Sequence, residues 1–101
     1  MAKIIWTKRA VGQLEKTVDY IKQESNPHQA SLVLDKILDL ISNLSVFPQR
    51  GAIEPLLSHK KSEYRYLVVF SYKIIYRVDE EKVVISRVFN TKRNPKKIKG
   101  V

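Results

Sequence analysis

The apolar residues of this chain keep one rhythm up to Leu44 and a different one from Tyr64 onward. In the first half Val11, Leu14, Val18 and Ile21, and then Ala30, Val33, Leu34, Ile37, Leu38, Ile41 and Leu44, recur at spacings of three and four. That spacing is the signature of amphipathic helices with one buried stripe each. In the second half β-branched and aromatic residues crowd into three runs, Tyr64 to Phe70, Tyr72 to Val78 and Val83 to Phe89, which read as strands. A chain of 101 residues has room for one core and not for two. The helical stripes and one face of the sheet must therefore bury each other.

The boundaries carry local signals. Lys3 to Trp6 is a short β-prone run, and Thr7 after it can cap a helix by accepting a backbone N–H. Trp6 and Val11 then stand at the two positions of a hydrophobic staple. The first helix is expected to end near Glu24 or Ser25. Asn26, Pro27 and Gln29 open a second one, as an Asn cap followed by Pro at the first helical position, and Phe47-Pro48 stops it. Residues 49 to 61, with Gly51 and Pro55, show no sustained period and read as a surface loop. Tight connections at Phe70-Ser71 and at Asp79 to Lys82 require antiparallel pairing of the three later strands. The expectation is an α+β domain of order β-α-α-β-β-β, an antiparallel helical hairpin on one face of a small, mainly antiparallel sheet. It occupies residues 1–101 as a single domain, with 95–101 as a loose basic tail.

Charge is the next constraint. The formal net charge is +9, split as +2 over residues 1–50 and +7 over residues 51–101. From Arg87 onward Arg87, Lys92, Arg93, Lys96, Lys97 and Lys99 occur with no acid. Such a field favours a polyanionic partner, either nucleic acid or an acidic protein segment. Strand alternation assigns Tyr66, Val68, Ile74, Tyr76 and Val78 to the helix-covered face, and Arg65, Leu67, Lys73 and Arg77 to the open one. In the last strand the apolar residues change parity, so its register stays ambiguous, with Arg87 turned from the core. The tyrosines at 64, 66, 72 and 76 read as sheet packing rather than stacking platforms.

Other chemistries find little support. There is no cysteine, so neither a disulfide framework nor a thiolate site is available. His28 and His59 lack ligand spacing, and no metal or cofactor is expected. No apolar run reaches the roughly 20 residues of a membrane span, and MAKIIW lacks the apolar core of a signal peptide. A soluble protein acting in the cytoplasm is the expectation. Lys8 and Arg9 are unusual, because positive charges in a first helical turn oppose the helix dipole, and they mark a candidate acidic contact.

Taken together, the initial strand with W-T-K-R-A, the helix closing at L-S-V-F-P-Q-R-G, the Y-R that opens a strand, S-Y-K-I-I-Y-R-V and V-I-S-R-V-F-N-T-K-R-N-P resemble the RelE/ParE superfamily of toxins over nearly the whole chain. These are the small basic partners of acidic antitoxins in type II toxin–antitoxin modules of the plasmid-stabilising kind. The resemblance implies an acidic antitoxin as partner, with Lys8, Arg9 and Arg65 among its contacts.

Two activities come with that resemblance. RelE-like members cleave messenger RNA on the ribosome, and their basic positions map onto Arg65, Lys73 and Arg93, which would hold the crowded phosphate. Two nuclease features are missing: a second lysine is replaced by Leu67, and Asn90 and Lys99 stand where a C-terminal tyrosine or histidine belongs. Lys and Arg titrate far from neutral pH and make poor general acids. ParE-like members instead inhibit DNA gyrase by binding it, and the Pro48 to Leu56 segment P-x-x-G-x-x-x-P-L is similar to that branch. On this preferred reading Arg77, Arg87, Lys92, Arg93, Lys96 and Lys97 are the target-binding or polyanion-binding cluster. A non-catalytic nucleic-acid-binding module, or a toxin that has lost its activity, is the remaining alternative.

Overall fold

The computed structural model describes residues 1–92. Its elements are β1 (Lys3–Trp6), α1 (Lys8–Glu24), α2 (Pro27–Asn43), β2 (Ala52–Ile53), a 3-10 turn (Pro55–Leu57), β3 (Glu63–Val69), β4 (Tyr72–Asp79) and β5 (Lys82–Asn90). The sheet has five strands in the order β1-β5-β4-β3-β2. The meander β3-β4-β5 is antiparallel, β2 adds antiparallel to β3, and β1 lies parallel to β5. The expected α+β architecture holds, with one more strand than the sequence reading gave. The expected tail at 95–101 lies outside the described residues.

Both helix starts follow the expected capping chemistry. Thr7 Oγ1 accepts from the Ala10 N–H at 3.1 Å and donates to the Ile85 carbonyl at 3.0 Å, so the same hydroxyl starts α1 and ties it to β5. Asn26 Oδ1 accepts from the Gln29 N–H at 2.8 Å. The buried stripe of α1 is Ala10, Thr17 and Ile21 flanked by Leu14 and Val18, whereas Val11 is exposed; the expected apolar stripe is thus displaced by one position at its start. On α2, Ala30, Val33, Ile37 and Ile41 are buried, with Leu44 just beyond, and Leu38 is exposed. These stripes meet Val69, Tyr72, Ile74, Tyr76, Val83, Ile85 and Val88 of the sheet in the main core.

The ambiguous parity of β5 has a physical cause. Ile75 pairs with Arg87 and Tyr76 with Ile85, which leaves Ser86 as the extra residue of a β-bulge. A bulge shifts the alternation by one, so Val83 and Ile85 before it and Val88 after it all face the helices. Gln13 on α1 supports the disrupted ladder just beyond, its side-chain oxygen accepting the Val88 N–H at 2.8 Å.

For β3 the assignment of faces is reversed from expectation. Leu67 pairs with Ile74 and Arg65 with Tyr76, which places Arg65, Leu67 and Val69 on the helix side. Tyr64 and Tyr66 face the other way, where they pack with Leu57, Ile75 and Phe89 in a second small core. The two-residue turn Phe70-Ser71 sets this register, because Val69 pairs directly with Tyr72. Residue numbers on the two strands of this hairpin therefore sum to an odd number, and facing residues have opposite parity.

Candidate functional site

The second sheet face is not open where sequence reasoning left it open. Residues 52–61, expected as a surface loop, form a strap. β2 pairs with Arg65 and Tyr66 of β3, and the Glu54 N–H bonds the Tyr64 carbonyl at 2.9 Å. The chain then turns through Pro55–Leu57 and drops Leu57 onto Ile75. Glu54 goes down with it. Its residue is only 1% exposed, and its carboxylate forms an ion pair with Lys73 from β4, whose side chain is 18% exposed. The same ammonium lies 4.3 Å from the centre of the Tyr66 ring, a cation–π distance. Glu54 is the functional neighbour that sequence reasoning missed. The available signal was its isolation: it is the sole acid between Asp39 and Glu63, in a stretch otherwise basic, apolar or neutral.

Arg65 is held elsewhere. Its Nε bonds Glu63 at 2.7 Å, and its Nη1 donates to the carbonyls of Gly51 at 2.7 Å and Gln49 at 3.2 Å. The guanidinium therefore clamps the segment that leaves α2. Tyr76, paired with Arg65 on the same face, completes that clamp: its hydroxyl accepts from the Gly51 N–H and donates to the Pro48 carbonyl, both at 2.8 Å. Burial raises the Tyr76 pKa above its ordinary value, against smaller opposing effects from the Gly51 hydrogen bond and Arg65.

The expected trio of Arg65, Lys73 and Arg93 is therefore not brought together among the described residues. Arg65 and Lys73 occupy opposite faces of the sheet, contrary to the placement of both on one open face, and Arg93 lies outside the described residues together with Lys96 and Lys97. The remaining cations are spread. Arg77 faces away from the helices and bonds Asp79 at 2.6 Å, which raises its own pKa and lowers that of the carboxylate. Arg87 turns from the helices as expected yet is only 3% exposed, and burial together with Arg9 lowers its pKa. Lys92 is exposed at the end of β5, while Lys8 and Arg9 are exposed in the first turn of α1, which contains no acid.

Asn90, at a position where an acid-base residue was sought, uses its side-chain oxygen to accept the Lys92 N–H at 2.9 Å. Among the described residues no group of three or more His, Cys, Asp or Glu could hold a metal ion. Likewise, no described helix is long and apolar enough to cross a membrane.

This scaffold can present cations and apolar side chains, and its two described nuclease-type cations are committed to internal partners. Residues 4–95 match the family described as the ParE toxin of the type II toxin–antitoxin system parDE. The chain belongs to the ParE toxin family. Toxin ParE3 of Caulobacter vibrioides is 27% identical over 94 residues, covering 93% of this chain and 91% of that protein. A solved structure described as the chromosomal ParDE toxin–antitoxin system from P. aeruginosa superposes with a TM-score of 0.73 at 22% identity, over 89% of this chain and 96% of that one. The shared fold is the helical hairpin packed on the mainly antiparallel sheet. As a ParE-type toxin, the chain has an antitoxin as its implied partner.

Proposed function

We propose that this ParE-type toxin acts by binding DNA gyrase in the cytoplasm and inhibiting it without cleaving RNA, and that a cognate acidic antitoxin neutralises it. The observation that carries the reading is the buried Glu54–Lys73 ion pair. A catalytic cation must meet charge that develops in the transition state. Lys73 already has a carboxylate partner with almost no solvent access, and the nearest candidate collaborator, Arg65, points into the opposite face. Neutralising that charge in the ground state removes most of what it could offer a phosphate. A general acid with a suitable pKa is also missing from the positions where one was sought.

The exposed cations then act as contact and steering groups. Lys92 leads into Arg93, Lys96 and Lys97 in the sequence, and this run is the proposed target-facing group; Arg87 is buried and Arg77 is paired with Asp79 toward the other end of the strands, so neither joins it. Lys8 and Arg9 sit where the α1 dipole already contributes positive potential, and they are the proposed antitoxin contacts. Arg65, whose guanidinium holds the Gln49 and Gly51 carbonyls, is the third proposed antitoxin contact.

The test adds purified toxin to gyrase supercoiling reactions and, separately, to translating ribosomes. Blocked supercoiling with intact message supports the proposal. Cleaved message, lost when Arg65, Lys73 and Arg93 are replaced by Ala, would replace it with the RelE-like activity.

A further inference from the structure

Phe70 is the first residue of the two-residue turn between β3 and β4, and it has a backbone φ of 56°. That left-handed conformation suits Gly or Asn and disfavours a residue with a bulky side chain. The ring gains no burial in return, since Phe70 is 66% exposed. A turn chosen for stability alone would not place an aromatic ring there, and strained, exposed residues of this kind concentrate at binding sites.

Its neighbours define the chemistry. Thr91 fastens the end of β5 to the turn, its N–H and Oγ1 each donating to the Ser71 carbonyl at 2.9 Å. Exposed Lys92 follows this anchored Thr91 directly in the chain, as Phe70 directly precedes Ser71. Val68, also exposed, precedes the turn on the face away from the helices, where it pairs with Lys73. In the sequence, residues 67–75 and 87–92 contain Lys73, Arg87 and Lys92 and no acid of their own. The acids Glu63, Asp79, Glu80 and Glu81 gather at the opposite end of the same strands. Of the three cations Lys92 is the exposed one, because Lys73 is paired with buried Glu54 and Arg87 is only 3% exposed.

We propose that this turn, formed by Val68, Phe70 and Lys92, is a contact site for an unpaired stretch of nucleic acid, with the Phe70 ring stacking on a base and Lys92 meeting a phosphate. The convexity of the tip selects this occupant. A protein groove would have to wrap a protruding ring, whereas a flat base covers one ring face without enclosing it. Stacking on single-stranded nucleic acid contributes enough per base to change affinity roughly five- to a hundredfold. A base within a duplex would first have to be unstacked, at additional cost. The proposal is independent of the gyrase reading, because it concerns the toxin and nucleic acid alone.

Fluorescence anisotropy with a labelled single-stranded DNA oligonucleotide, its matched duplex and polyglutamate tests it at several salt concentrations. The expected result is preference for the single strand, with F70A weakening it roughly five- to a hundredfold and leaving the salt slope unchanged. F70Y should retain binding because it keeps the ring. K92A should instead make the slope shallower by about 0.7. F70G separates binding from folding: it should bind as poorly as F70A while melting at a higher temperature than the parent. Equal affinity for duplex and single strand, binding unaffected by F70A, or Phe70-dependent capture of polyglutamate would each overturn the proposal, as would no binding of the single strand at low salt.

Discussion

The hydroxyl of Tyr76 takes the backbone N–H of Gly51 at 2.8 Å, joining the middle of β4 to the chain that leaves the helical hairpin. Gly51 is required by this contact. A Cβ built there would stand 2.6 Å from both the Tyr66 carbonyl oxygen and the Tyr76 hydroxyl, and the carbonyl belongs to a paired strand that cannot swing away. Gly51→Ala is expected to destabilise the fold by about 1–3 kcal/mol through overpacking. Tyr76→Phe should cost about 1–3 kcal/mol by leaving the Gly51 N–H and Pro48 carbonyl without their partner. Urea denaturation of each variant measures both.

The same tyrosine gives stability a pH dependence on the alkaline side. Its folded pKa is raised, chiefly by burial, so the folded state holds the phenolic proton to higher pH than the unfolded chain does. Between the two pKa values the folded state binds more protons, and stability falls as pH rises. The Tyr76 contribution should be fully present below about pH 10, the ordinary tyrosine value, and be lost above it. Thermal melts of the parent and Tyr76→Phe across that range should converge as pH increases. Parallel curves would remove Tyr76 as the cause.

How far the sequence led depends on whether the relevant force was local. Thr7 and Asn26 cap their helices as expected because capping is decided within three residues. The hairpin and meander follow from periodicity, which is also local. By contrast, the faces of β3 depend on how many residues the Phe70-Ser71 turn consumes, and the β5 alternation on a bulge at Ser86. Neither quantity is written in a single strand. The strap escaped detection because Leu57 and Glu54 are buried by contacts with β3 and β4 rather than by any period of their own. Of the candidate site, the place of Lys73 on β4, facing away from the helices, was legible, but the partner that occupies it was not.

Breaking the strap contact from one side is expected to be worse than removing it from both. Glu54→Leu alone leaves the partly buried Lys73 ammonium facing an apolar residue, and Lys73→Met alone leaves the Glu54 carboxylate buried without its cation. Each single substitution should cost about 3 kcal/mol, at the lower end for broken buried pairs because Lys73 retains some access to water. The Glu54→Leu/Lys73→Met pair should recover most of that loss. A double-mutant cycle in urea would reveal the coupling, and additive losses would mean that the two side chains act independently.

The turn between β4 and β5 carries the same backbone conformation as Phe70 without an aromatic ring. Glu80, first residue of the Glu80-Glu81 connection between β4 and β5, has a φ of 54° and an exposed side chain. Glycine adopts this conformation without the steric penalty of about 1–2 kcal/mol, although its freer unfolded chain returns about 0.5–1 kcal/mol of that gain. Removing one of the three acids in the Asp79-Glu80-Glu81 run also relieves like-charge repulsion. Glu80→Gly should therefore stabilise the fold by about 1 kcal/mol, raising the melting temperature by about 4–8 °C for a domain of this size. Single-stranded DNA binding should not weaken in this variant, since Glu80 lies at the end of the strands opposite Phe70. Calorimetry and anisotropy on the same preparation check both halves, and a melting temperature that stayed put would show that the left-handed turn residue is relieved by its surroundings.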